Sequence, residues 1–215
     1  MVRPETANII GALGEDVIRQ IAEQGQIRRY AADSIIINEG DPGESIYIIL
    51  SGRVKTFSVN AAGREVVYNT HGPGEYLGEM TLDGGSRSAS VITLEPSSFS
   101  VVQGNEMRQF IRMHPEFAEH LVIKLIRLLR RSTLRVKSLA LMDVYGRVAQ
   151  LLTNEAVVED GVRALKEKYT QQDIADRVGS SREMVSKILK ELALGGYISI
   201  VGKRIIIHRK LPEAF

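Results

Sequence analysis

The sequence predicts an α+β chain: a β-roll (jelly roll), then one long helix, then a small C-terminal domain of helices closed by a hairpin. Three observations predict it. Residues 26–102 are a series of short β-forming runs between glycine-rich turns. Residues 115–142 follow without a glycine or an interior proline, and their apolar residues recur at helical spacing. The charge then changes sign: residues 1–120 carry 10 Lys/Arg against 16 Asp/Glu, and residues 121–215 carry 18 against 10. We therefore expect three parts, 1–115, 116–142 and 143–215.

In chain order, Leu13, Val17 and Ile21 stand at helical spacing and predict a short amphipathic helix over 13–24. Strands are expected over 34–37, 45–50, 53–59, 64–70, 90–94 and 98–102, separated by GDPGE, LSGR, AAGRE, HGPGE and DGGS. From about residue 105 the texture turns helical. Pro115 should end or kink the first helix, because it lacks an N–H and disfavours the helical conformation of the residue before it.

In the long helix Val122, Leu125, Leu129, Ser132, Val136 and Leu139 follow one another at steps of three and four, an a/d seam. Such a seam needs a facing helix, and a parallel homodimer supplies one. Burial against the rest of its own chain is the alternative. Five basic residues between Arg127 and Lys137, with no acid among them, argue against it. Ser132 is the polar member of the seam and Thr133 follows it; together they can fix register or offer hydroxyls to a molecule held there.

The basic tail opens with VYGRVAQLLTNEA, which Asp143 can cap. Thr170 and Asp173 have the spacing of a capping box, Gly179 suits a tight turn, and Ser180 or Ser181 can start a helix reaching about Ala193. Val185, Ile188, Leu189 and Leu192 form its inner stripe, while Arg182, Glu183, Ser186, Lys187 and Lys190 occupy another face. With YISIVGKRIIIHR as a hairpin turning at Gly202-Lys203, this is a winged helix-turn-helix. A helix of this kind fits the major groove of double-stranded DNA. Arg182 can fork onto guanine, Glu183 can accept from cytosine, and Lys187 can reach another guanine. Glu183 could instead close a capping box with Ser180, and Lys190 reads as solvated surface.

The segments GEYLGEM…RSA (74–89), LMDVYGRV (141–148) and QQDIADRVGSSREMVSKILKEL (171–192) carry a resemblance that covers almost the whole chain. It resembles the cyclic AMP receptor branch of the bacterial Crp-Fnr regulators. The resemblance implies a cyclic-nucleotide-binding β-roll, a dimerisation helix and a DNA-binding domain. It assigns 74–89 to a phosphate-binding cassette. There Gly78 admits the backbone to the cyclic phosphate, Arg87 and Ser88 hold that phosphate, Glu79 accepts from the ribose 2′-OH, and Met80 and Ala89 belong to the same loop. A plain Glu79–Arg87 ion pair is the alternative for that loop. On the long helix the resemblance brings in Ser132 and Thr133 at the purine, one in cis and one from the partner subunit, with Arg135 beside them. Their order is the reverse of the activator's, and the cassette is two residues shorter. For DNA it implies Thr170, Gln171, Ser181, Arg182, Glu183, Ser186, Lys187 and Lys203. Lys187 stands in for an arginine without its planar fork.

The expectation is thus a cytoplasmic, non-enzymatic transcriptional regulator without a cofactor. It would be switched by cyclic AMP and would act as a homodimer on a near-palindromic site with RNA polymerase. Two rivals keep the regulator: one responds to cyclic di-GMP through Arg127, Arg130, Arg131 and Arg135, and one has no effector. A third, a cupin-like metal enzyme, needs a ligand cluster that His71, Glu75 and Glu79 do not make. The absence of cysteine excludes a disulfide framework, a thiolate metal site and a cysteine-held iron–sulfur centre. The histidines His71, His114, His120 and His208 sit in no recognisable haem motif, and no apolar run is long enough to span a bilayer.

Overall fold

The computed structural model describes residues 16–159, 161–202 and 204–212. It divides into two compact units, 1–127 and 128–215, each considered by itself.

The first unit opens with helix α1, Asp16–Gln24, which buries Ile18, Ile21 and Ala22. The sequence-predicted start at Leu13 lies outside the described residues. Eight strands follow: β1 (Gln26–Tyr30), β2 (Ile35–Ile37), β3 (Ile46–Ser51), β4 (Val54–Val59), β5 (Glu65–His71), β6 (Tyr76–Leu77), β7 (Ser90–Thr93) and β8 (Ser97–Val102). They form two antiparallel sheets, ordered β1-β8-β3-β6 and β2-β7-β4-β5. Six of the eight match the expected runs within a residue or two. The strands β1 and β6 were not expected.

β3 explains why its sequence, IYIIL, is apolar without alternation. Tyr47 and Ile49 enter the cluster with Val54, Val91, Phe99 and Val101. Ile46, Ile48 and Leu50 point the other way, into a second cluster with Ile18, Ile21, Phe110 and Phe117. A strand covered on both faces shows no period of two. The second cluster is capped by α1, by α2 (Gly104–Met113) and by the start of α3 (Pro115–Leu141). α2 begins with a reciprocal box between Gln103 and Glu106. It stops before Pro115, which opens α3 at a position where its missing N–H costs nothing.

The apolar members of the α3 seam are all exposed in the single chain, from 40% for Leu125 to 68% for Leu129. Among the described residues, no helix is long and apolar enough to cross a membrane.

In the second unit α4 (Val144–Asn154) is capped by Asp143, whose Oδ1 accepts from the Gly146 N–H at 2.7 Å. Then come β9 (Ala156–Glu159), β10 (Val162–Leu165), α5 (Gln171–Val178), α6 (Arg182–Leu194), β11 (Ile198–Val201) and β12 (Arg204–Ile207). The last two form the expected hairpin in the register Val201↔Arg204, opened by Gly202 at φ +55°. The sheet is larger than expected, ordered β11-β12-β10-β9, because β9 and β10 extend it. Tyr145, Val148, Leu152, Ile174, Val185 and Leu192 meet in its core.

Candidate ligand cassette and nucleic-acid interface

The cassette starts where β6 ends. Gly78 has φ +90° and caps a 3₁₀ turn, Glu79–Asp83, that closes at Gly84 with φ +88°. The Thr81 hydroxyl donates back to the Gly78 carbonyl at 2.8 Å. A Cβ on Gly78 would stand 2.5 Å from Arg87 Nη1 and 2.7 Å from the Ser45 carbonyl oxygen. Glycine is required there both by the left-handed backbone and by the close approach of Arg87.

Arg87 is 7% exposed. Nη2 donates to the Ser45 carbonyl at 2.8 Å, and Nη1 makes longer contacts, 3.4 Å each, to the Gly78 carbonyl and Thr81 Oγ1. Its guanidinium also lies 5.9 Å from the Tyr47 ring centroid. Its backbone is clamped as well, through Arg87 N–H to the Asp41 carbonyl and Gly40 N–H to the Arg87 carbonyl. Burial pushes the guanidinium pKa below its ordinary value, with Tyr47 pulling the other way. All of its side-chain acceptors are neutral. Ser88 is exposed beside it and donates to Met80 Sδ at 3.3 Å; Met80 is half exposed and Ala89 partly buried.

Glu79 does not pair with Arg87. Its side chain is 8% exposed, and Oε2 lies 3.1 Å from Lys124 Nζ on α3. Lys124 also donates to the Tyr76 carbonyl and sits 3.6 Å from the Tyr76 ring centroid. The simple Glu79–Arg87 ion pair is thereby corrected: Arg87 is drawn inward by carbonyls and Glu79 is held by a lysine. Lys124 was missed because nothing local marks it; only the fold brings it to the cassette. Nearby, His71 Nδ1 and Glu75 Oε2 are 2.8 Å apart. Burial raises the Glu75 carboxyl, but His71, the Gly72 N–H and Lys124 together outweigh it and leave the group below its ordinary value. Among the described residues no cluster of three or more His, Asp or Glu could hold a metal.

Ser132, Thr133 and Arg135 lie on α3 in the second unit and are exposed. The Thr133 hydroxyl donates to the Leu129 carbonyl at 3.0 Å.

In the second unit the two-helix motif is assembled as its caps dictate. Thr170 and Asp173 make the expected reciprocal box at the start of α5. Gly179 ends it with φ +66° and ψ +48°. Ser181 caps α6, accepting from Met184 N–H at 3.2 Å. This corrects the pairing of Glu183 with Ser180: the box position is Met184, and Glu183 sits one residue too early. The Glu183 carboxyl is lowered by its own backbone N–H, by Ser181 and by Arg182. Val185, Ile188, Leu189 and Leu192 are all buried, each contributing roughly 1.5–3 kcal/mol. That burial fixes which face of α6 is left outside. Gln171, Arg182, Glu183, Ser186, Lys187 and Lys190 line one open depression on that face. Arg182, Lys187 and Lys190 form no ion pair within 4 Å among the described residues, so this surface carries three cations with Glu183, which feels the Arg182 charge, beside them. Thr170 stands beside it at the start of α5. Lys203 lies outside the described residues.

A β-roll with a loop that buries an arginine among neutral oxygens, and a separate helix-turn-helix with a basic outer face, point to one class: a regulator that joins a ligand-binding domain to a DNA-binding domain. Residues 27–114 match the family described as Cyclic nucleotide-binding domain, and residues 146–210 the family described as Crp-like helix-turn-helix domain. The chain is 33% identical over 206 residues to the CRP-like cAMP-activated global transcriptional regulator of Mycobacterium tuberculosis, covering 94% of this chain and 92% of that one. It is 32% identical over 187 residues to the cAMP-activated global transcriptional regulator CRP of Pasteurella multocida, covering 85% and 90%. Among solved structures it resembles the c-di-GMP responsive global regulator CLP of Xanthomonas campestris, with a TM-score of 0.78 and 24% identity over 90% of this chain and 98% of that one. It also resembles TTHA1359, a CRP/FNR family regulator of Thermus thermophilus, with a TM-score of 0.68 and 27% identity over 87% and 94%. The chain belongs to the Crp-Fnr family of transcriptional regulators, a family of DNA-binding proteins rather than enzymes.

Proposed function

We propose that the chain is a homodimeric, effector-controlled regulator that binds a cyclic mononucleotide, cyclic AMP first, in the 78–89 cassette and recognises a two-fold DNA site through α6. The observation that carries the effector reading is Arg87. It is a nearly buried cation whose side-chain acceptors are carbonyl and hydroxyl oxygens. Burying a charge without an opposite charge is costly, and an anionic ligand offsets that cost. The exposed Ser88 hydroxyl and the open loop around Gly78 give a cyclic phosphate its further contacts. The relatives named as cAMP-activated favour cyclic AMP among the mononucleotides. The seam on α3 supports the homodimer, which would bring Ser132 and Thr133 of two copies together.

The test is calorimetric titration with cyclic AMP, cyclic GMP and cyclic di-GMP side by side, on wild type and Arg87→Leu. Wild type should bind cyclic AMP. Arg87→Leu should lose at least ten- to a hundredfold for both mononucleotides, since a charge-assisted contact is worth about 1.5–3 kcal/mol. Binding of cyclic di-GMP alone, unaffected by Arg87→Leu, would replace this reading with one centred on Arg127, Arg130, Arg131 and Arg135.

A further inference from the structure

We propose that Lys124 is a positioning residue of the ligand site: it holds Glu79 in place and cancels its charge, so that a carboxylate can stand in a loop that must bind an anion. The inference rests on the cyclic-nucleotide reading for its ligand, but its geometry stands on the protein alone.

Glu79 is an awkward residue for its position. It follows Gly78, whose carbonyl accepts from Arg87 Nη1, and its side chain is 8% exposed. A nearly buried carboxylate needs a counter-charge. Arg87 does not supply it, because its hydrogen bonds go to Ser45, Gly78 and Thr81. Lys124 does, from 3.1 Å. Its ammonium is itself immobilised by the Tyr76 carbonyl and the Tyr76 ring face, on the residue where β6 enters the cassette. The same lysine also lowers the neighbouring Glu75 carboxyl. Lys124 is therefore braced on β6 while it grips Glu79.

Two consequences follow for a ligand. The lysine contacts Oε2, so Oε1 can accept a ligand hydroxyl without abandoning the ion pair. And a cyclic mononucleotide that touches both Arg87 and Glu79 carries its phosphate within one sugar of the Glu79 carboxylate. Without Lys124 that carboxylate, whose side chain is nearly buried, would repel the phosphate with less screening than a solvated charge has. Lys124 thus serves the phosphate indirectly and the sugar hydroxyl directly, through Glu79 in both cases.

The experiment uses the full chain as wild type, Lys124→Met, Glu79→Gln and the double variant. Without ligand, Lys124→Met should lower Tm by about 2–4 °C. Adding Glu79→Gln should recover most of that loss, because it removes the stranded charge. With ligand, Lys124→Met should weaken 2′-deoxy cyclic AMP by about tenfold through the phosphate, and cyclic AMP by at least as much, since it also loses the placement of its hydroxyl acceptor. The double variant should bring back the 2′-deoxy compound to within about threefold of wild type, but cyclic AMP less fully, because the neutral amide oxygen of Gln accepts from the ribose hydroxyl more weakly than a carboxylate does. Lys124→Arg should keep most of the affinity for both. Lys124→Met binding both compounds as wild type does, or a double variant no better than Lys124→Met for the 2′-deoxy compound, would overturn the proposal. A wild type that binds neither compound would reject the effector reading instead, and the ligand-free Tm cycle alone would then decide the role of Lys124: additive losses reject it, recovery upholds it.

Discussion

Gly78, Arg87 and Lys124 illustrate how much of this site is decided by single atoms. The absence of a side chain at Gly78 is what lets the Arg87 guanidinium lie against the loop backbone. Gly78→Ala should therefore do two kinds of damage. A left-handed backbone at an alanine costs about 1–3 kcal/mol, and the new methyl, 2.5 Å from Nη1, must push the arginine aside. Denaturant unfolding should show the first effect and nucleotide titration the second. A variant with wild-type stability and affinity would contradict both arguments. Of these three residues, the sequence marks two. Gly78 and Arg87 lie in one recognisable loop. Lys124 is one lysine on a basic helix, and only the packing of α3 beneath Tyr76 distinguishes it from Arg127 or Arg130.

At the scale of elements, legibility follows covering. The α6 helix was readable because its buried stripe, its Ser181 cap and the Gly179 turn all point the same way. β1 was not. Its sequence QIRRY puts two arginines side by side, and as an edge strand with no fully buried residue it needs no alternation. β6 is two residues long and exists only through pairing with β3. β9 and β10 carry valines to the exposed side, Val158 and Val162, so the usual polar outer face is missing. The recognition reading of α6 has its own test. Arg182 opens the helix, exposed and in no ion pair within 4 Å among the described residues, where a base edge would meet it. Arg182→Ala should cost roughly 1–3 kcal/mol on a cognate site and relax one base position. Its salt dependence should change little, since that slope counts phosphate contacts. A selected-site profile identical to wild type would remove Arg182 from the reading set.

For the molecule as a whole, the exposed seam of α3 is left without a packing partner inside the described residues of one chain. Val122, Leu125, Leu129, Val136 and Leu139 are each between 40% and 68% exposed. Leu129→Glu places carboxylates opposite each other in a parallel pair. It should give a monomer by sedimentation and remove specific DNA affinity, because the proposed two-fold site would be read by two copies of α6 about one helical turn, roughly 34 Å, apart. A mutant dimer of unchanged affinity would refute that arrangement.

Arg147 gives the second unit a different kind of integrity. Its Nε donates to the Val178 carbonyl at 2.8 Å and its Nη1 to the Met142 carbonyl at 2.9 Å. One side chain therefore pins the residue that follows α3 to the last residue of α5. A second bridge, from the Ser138 hydroxyl to Gln150 Oε1 at 3.1 Å, fastens the last turn of α3 to α4. In mechanical terms these are rivets. They tie the final turn of the long helix to α4 and to the end of α5 by direct hydrogen bonds, with no intervening loop carrying the connection.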